Sequence, residues 1–140
     1  MTSIRNIALA VPRRGDDVLV FRGYDHTREH TFYRPLGGGI EFGETAAQAL
    51  HRELREELDV ELTGVRLLGV LENLFHAFDR QGHEIVFVFA CDLADRSLYE
   101  RDHVGDILDD PGTPVMWRPL GGFDDTTPLY PSGLADLLGR

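Results

Sequence analysis

Residues 38–60 read GGIEFGETAAQALHRELREELDV, and this stretch decides the reading of the chain. No proline or glycine interrupts Glu44–Leu58, and Ala46, Ala47, Ala49, Leu50, Leu54 and Leu58 recur at helical spacing. The pattern predicts a helix opened by Glu44 and Thr45. At about 100° per residue, Ala47, Leu50, Leu54 and Leu58 fall on one apolar stripe facing a core. Glu53, Glu56 and Glu57 gather on the adjoining side, spaced i, i+3 and i+4. Just before the helix, Gly37, Gly38 and Gly39 would lose backbone entropy in a regular element without gaining any packing, which predicts a loop.

Three clustered glutamates repel, each pair costing roughly 0.2–0.5 kcal/mol on an exposed helix. On spacing alone two readings stand. One is a solvated face laced with Arg52 and Arg55. The other is a hard divalent cation: Mg²⁺ takes oxygen ligands, uses few carboxylates and completes its shell with water and phosphate oxygens. Glu57 lies nearest the apolar stripe, so it is expected to be the least solvated of the three and the most dependent on a cation.

The full spacing is Gly38, five positions, Glu44, seven positions, then Arg52-Glu53-Leu54-Arg55-Glu56-Glu57-Leu58-Asp59-Val60. This resembles the Nudix box of the Nudix hydrolases at every fixed polar position and at the aliphatic positions Leu54 and Val60. Asp59 stands where that family has glycine. The family's glycine ends the helix in a left-handed conformation, which Asp tolerates better than most residues, so the departure touches helix termination rather than ligands.

The chain outside the box fits the same picture. Its 140 residues, 42% hydrophobic, suit one domain spanning 1–140. Ile4–Val11, Val18–Phe21, Thr31–Leu36, Val65–Phe75, Glu84–Cys91 and Val115–Arg118 are strand-like. Turns are expected at Arg13–Asp17 and Asp79–Gly82, a polar loop at Arg22–His30 and a short helix at Ser132–Leu138. Strands around a central helix with a late helix give an α/β class with a mixed sheet, similar to the Nudix α/β/α sandwich.

No apolar stretch approaches membrane-spanning length, and the N-terminal run is too short and wrongly ordered for a signal peptide. The single Cys91, in an apolar run, reads as a core residue in a reducing cytoplasm. A net charge of −10 disfavours extended nucleic acid and acidic membranes but not small anions held through a metal. All 14 basic residues are arginine, a bias of composition rather than of site design.

The resemblance implies cleavage of a diphosphate linkage in a nucleoside diphosphate joined to another moiety, with Mg²⁺ or alternatively Mn²⁺. It implies that Glu53, Glu56, Glu57 and the Gly38 carbonyl hold metal, which neutralises phosphate and acidifies water. Arg52 would orient the glutamates, most directly through a Glu53 salt bridge, and Glu44 would buttress the loop. Glu53 is the first choice for the group that takes the proton from water, with Glu84 and the pair Asp109-Asp110 as later candidates. Glu72 and Asn73 could line the cleft.

Neither the downstream proline of many ADP-ribose cleavers nor the tyrosine of many dinucleoside polyphosphate cleavers is present; Phe75–Phe78 reads FHAF instead. Phe32, Tyr33, Phe75 and Phe78 are candidates for stacking on a base, against the alternative of core packing. Arg34, beside the glycines, is the favoured phosphate contact. A nucleotide-binding or sensor module without catalysis is the alternative function, disfavoured by the intact repulsive cluster. Cleavage at RNA ends would want a basic groove. Homodimers are frequent among similar proteins, but no residue marks an interface.

Overall fold

The computed structural model describes residues 2–77 and 80–139. β1 (Ile4–Arg14) and β2 (Asp17–Asp25) form a hairpin, followed by β3 (His30–Arg34), β4 (Leu36–Gly39) and α1 (Ala46–Leu58). The long strands β5 (Leu62–Ala77) and β6 (Arg80–Leu93) come next. A 3-10 turn at Arg96–Glu100, β7 (His103–Asp106), β8 (Pro114–Pro119) and α2 (Leu134–Leu138) complete the order. The eight strands make a mixed sheet, ordered β5-β6-β1-β2-β8-β7, with β3 on β2 and β4 on β1.

β1 is central, and its run Ile7–Val11 is buried on both faces, which is why it reads as continuous apolar sequence rather than an alternation. It pairs in parallel with β6 from Ile4↔His83 to Pro12↔Cys91. Ile7, Leu9 and Val11 join Leu134 and Leu138 of α2 in one core cluster; Ala8 and Ala10 join Ala49, Leu50 and Leu54 of α1 in the other. Alanines on the helix-facing side leave room for α1 to seat closely. The mixed sheet thus lies between helices, as expected. Among the described residues no helix is long and apolar enough to cross a membrane.

Several elements differ from the sequence expectation. Gly37–Gly39 is not a loop: with Leu36 it forms β4, paired with β1 through Leu9↔Gly37 and Ala8↔Gly38. Gly37 has φ +149, and a Cβ there would lie 2.0 Å from the Ala8 carbonyl oxygen, so glycine serves close backbone approach. The single strand expected over Thr31–Leu36 is broken at Pro35, which lies between β3, on β2, and β4, on β1. The polar segment Arg22–His30 is mostly strand, since β2 runs to Asp25 and pairs with β3 through Asp25↔His30. β7 was not expected. Of the turn expected at Asp79–Gly82, Arg80–Gly82 belong to β6, and Asp79 lies outside the described residues.

β1 and β2 pair only at Arg13↔Val18 and Arg14↔Asp17. Beyond that point they diverge, and the space between the β1-β6-β5 strands and the β2-β3 ribbon is a cleft of about 710 Å³.

Candidate active site

Helix α1 begins with a capping box: Thr45 Oγ1 accepts from the Gln48 amide at 3.1 Å, and the Gln48 side chain accepts from the Thr45 amide at 2.8 Å. It ends at Asp59, which is left-handed with φ 54 and ψ 46 and whose amide donates to Arg55 O and Leu54 O. The substitution of Asp for glycine therefore keeps the usual helix end. Ala49, Leu50 and Leu54 anchor the helix, while Ala47 and Leu58 are half-buried at the stripe's margin.

Anchored this way, α1 lays its acidic side across β4. Glu53 packs directly over Gly38, where a Cβ would come within 2.5 Å of its Cδ. Glu57 Oε1 accepts from the Gly37 amide at 3.2 Å. Burial, then the neighbouring Glu53 carboxylate, push the Glu57 pKa up from 4.5 to about 7. Two neighbouring carboxylates, one of them desolvated, form an oxygen donor set suited to a hard divalent cation, and the Cβ-free cradle at Gly38 leaves room for Glu53 to hold its place.

Glu56 is different. It is 58% exposed and turns toward Arg52 Nη1 at 3.5 Å, so among the described residues no three acidic, imidazole or thiol side chains converge into one cluster. Mutual repulsion and the attraction of Arg52 account for the splay.

Arg52 organises the rest. Its Nη1 donates to Glu53 Oε1 at 2.9 Å and its Nη2 to the Gly39 carbonyl at 2.9 Å. Its Nε donates to Glu44 Oε2 at 3.1 Å, and Nη2 also reaches Glu44 Oε1, a bidentate pair. These contacts raise the Arg52 pKa, with Glu44 the largest cause, and hold that of Glu44 below its ordinary value. Glu44 Oε1 also accepts from the Glu41 amide at 3.0 Å, tying the segment between β4 and α1 to the helix. Sequence reading did not foresee the Gly39 carbonyl as an Arg52 partner.

The cleft lies beside this cluster. Arg34, Phe75 and Glu84, far apart in sequence, line it together, as do Phe32 and Asn73. Burial lowers the Arg34 pKa, opposed by the charges of Glu84 and then Glu57. Its guanidinium lies over the Phe21 ring, 5.9 Å from the centroid. Arg5, which sequence reading did not single out, faces Glu84 at 3.8 Å. Strand alternation along β1 was the available signal for it.

Other candidates are placed elsewhere. Tyr33 is buried at 5% exposure in the α2-side core, where its ring meets Phe123 at 5.5 Å and the Arg118 guanidinium at 4.2 Å. Glu72 is 65% exposed and pairs with His83 at 3.1 Å. Asp109 and Asp110 are exposed in the β7–β8 connection, where Asp110 accepts from Thr113 Oγ1 at 2.7 Å. That connection does dock on the helix, through the Leu108 amide donating to the Glu57 carbonyl at 2.9 Å. Phe78 lies outside the described residues.

A family model for the NUDIX domain matches residues 4–107. Among solved structures, the chain is similar to the MutT NUDIX hydrolase from Burkholderia pseudomallei, with 20% identity, 97% of each chain covered and a TM-score of 0.68. It is similar to the MutT protein from Bacillus halodurans at 17% identity, covering 97% of this chain and 80% of that one, TM-score 0.63. An ADP-ribose pyrophosphatase from Streptococcus suis gives 14% identity, 96% and 87% coverage and a TM-score of 0.60. Identities this low speak for the fold and leave the substrate open. The glutamate helix laid over a glycine strand, matched by a family model across most of the chain, makes this protein a member of the Nudix family and a pyrophosphohydrolase of the Nudix type.

Proposed function

We propose that the protein is a divalent-metal-dependent hydrolase, using Mg²⁺ or alternatively Mn²⁺, that cleaves the diphosphate linkage of a nucleoside diphosphate joined to another moiety. The observation that carries this reading is the Glu53–Glu57 pair, seated on the Cβ-free Gly37–Gly38 backbone with Glu57 desolvated beside Glu53. Glu53, Glu57, the more exposed Glu56 and the Gly38 carbonyl are the ligands this chain offers. When bound, the metal supplies positive charge against the diphosphate and acidifies water.

The remaining work falls to the chain's own residues. Arg52, fixed by Glu44, holds Glu53 in register over Gly38. Glu53 takes the proton from the attacking water. Arg34 and Arg5, at the boundary of cleft and glutamates, receive the phosphate oxygens. Phe32 and Phe75 offer ring faces for the base. The setting is a reducing cytoplasm, in keeping with a lone buried Cys91 whose thiol burial pushes up to about 12.

The test is release of phosphate or nucleotide from nucleoside triphosphates, nucleotide sugars, ADP-ribose and dinucleoside polyphosphates with Mg²⁺ or Mn²⁺, using Glu57→Gln as the blank. Metal-dependent release from one class, lost in the variant, supports the proposal and names the substrate. Silence across the panel from folded, metal-binding protein would replace it with a binding or sensor role.

A further inference from the structure

One polar row crosses the sheet side of the cleft. β1 and β6 pair through Arg5↔Glu84, and β6 and β5 through Asn73↔Glu84, so Arg5, Glu84 and Asn73 stand abreast on three neighbouring strands. All three line the cleft. The row on one side of them is apolar, Ile7 beside Val86, and abuts β4 through Ile7↔Gly39. The row on the other side is Gly82↔Phe75. There the Phe75 ring lies across Gly82, where a Cβ would be 2.2 Å from its Cζ, so the glycine seats the ring on the sheet.

Glu84 is the unexpected member of this row, an acid on the wall of a cleft that holds two arginines. Its side chain keeps 16% exposure and is open to a ligand. Among the described residues its charged neighbour is Arg5 Nη1 at 3.8 Å, beyond hydrogen-bond distance, and neither carboxylate oxygen accepts a hydrogen bond. A carboxylate only accepts, so this one has its full capacity left for donors on a ligand. Its position says which donors. Arg5 stands one strand away, about 4.8 Å, and its Nη2 reaches to 3.6 Å from where a Gly39 Cβ would lie, toward β4. The Phe75–Gly82 row stands two residues away in the other direction, roughly 7 Å. The order cation, carboxylate, aromatic ring is that of phosphate, ribose, base in a nucleotide.

We propose that Glu84 reads the ribose: its carboxylate accepts O–H bonds from the 2′- and 3′-hydroxyls, so the cleft selects ribonucleotides over 2′-deoxyribonucleotides. This rests on the nucleotide-hydrolase reading above. Phosphate is repelled by a carboxylate and belongs to the arginines, and the base belongs to the ring, which leaves the vicinal diol as the paired donor at this row. Asn73, opposite Glu84, carries both a donor and an acceptor and completes the bonding of the hydroxyls.

The test is calorimetric binding in Mg²⁺ of AMP, GMP, CMP and UMP, each against its 2′-deoxy counterpart. These monophosphates contain no diphosphate linkage and persist through the titration. For the tightest-bound base, wild-type protein is expected to lose about tenfold or more in affinity with the 2′-hydroxyl. Glu84→Gln replaces one acceptor with a donor and removes the charge, so that ratio should fall to within about threefold while the 2′-deoxy affinity holds or rises. A role confined to holding Arg5 would weaken both members of a pair alike and keep the ratio. Equal wild-type affinities within every pair, a ratio kept in Glu84→Gln, or no binding of any of the eight would overturn the proposal. The wild-type ratios need no variant, so a folding defect in Glu84→Gln leaves the test intact. Nucleotide hydrolysis with equal affinities would sink the Glu84 role alone; Glu84-dependent discrimination without hydrolysis would sink the hydrolase reading instead.

Discussion

Glu57 is the side chain on which the proposed metal site turns. It is desolvated beside Glu53, accepts a hydrogen bond from the Gly37 amide, and has its pKa raised to about 7. Glu57→Gln should lower turnover at least about a hundredfold while leaving the fold intact, because it removes an oxygen from the proposed metal site and relieves like-charge repulsion. Steady-state kinetics beside circular dichroism checks this, and wild-type activity would remove Glu57 from the metal site. Asp59 is the counterpart, a residue whose departure from the family pattern has no chemical consequence. Its left-handed φ of 54 predicts that Asp59→Gly is neutral or stabilising by up to about 1 kcal/mol in thermal unfolding. Both residues were legible in the sequence, Glu57 from its place beside the apolar stripe and Asp59 from its place at the helix end. Asp25, buried at 1% exposure, was not, because its burial depends on a strand pairing that local composition concealed.

At the scale of elements, α1 was readable since its cap, its period and its stop agree. β4 was misread for a physical reason: three glycines normally mark a loop, and here they let a strand lie close to β1 and under Glu53. The two glycines should separate in experiment. Gly37→Ala places a Cβ 2.0 Å from a backbone oxygen at φ +149, so it should cost roughly 2 kcal/mol or more in denaturant unfolding. Gly38→Ala meets a side chain rather than backbone, the Glu53 carboxylate at 2.5 Å, so it should cost less stability than Gly37→Ala while turnover falls as Glu53 is pushed off its Arg52 contact. Equal effects of the two on stability would contradict this division. β2 was also underestimated, because Gly23 and Asp25 occupy positions where a core-facing strand would carry apolar side chains. Those positions face the cleft, and local rules fail where a site is built.

The whole molecule adds what no single element contains. The cleft exists because β1 and β2 pair only at their hairpin end, and it unites Arg5, Arg34, Phe75 and Glu84 from four strands. Sequence patterns supplied Arg34, Phe75 and Glu84 one at a time, missed Arg5, and could not supply their meeting, which depends on the parallel β1–β6 pairing. Global stability should also carry the signature of the glutamate pair. A carboxyl whose folded pKa is raised from 4.5 to about 7 binds its proton more tightly when folded, so its contribution is full below about pH 4.5 and is lost as pH rises to 7. In chelator the protein should therefore lose roughly 3 kcal/mol between pH 5 and pH 8 from this group. Asp124, held at about 2 by hydrogen bonds from Thr126 and Thr127, acts in the opposite sense but only at lower pH. Thermal unfolding at the two pH values checks the slope, which Glu57→Gln should flatten.

The most direct measurement of the central claim is cleavage of the best substrate class by wild-type protein and Glu57→Gln, side by side, in Mg²⁺ and in chelator. The predicted result is diphosphate cleavage by the wild type in Mg²⁺ alone. Cleavage that survives the chelator, or a variant that matches the wild type, would contradict a metal-dependent centre built on the Glu53–Glu57 pair.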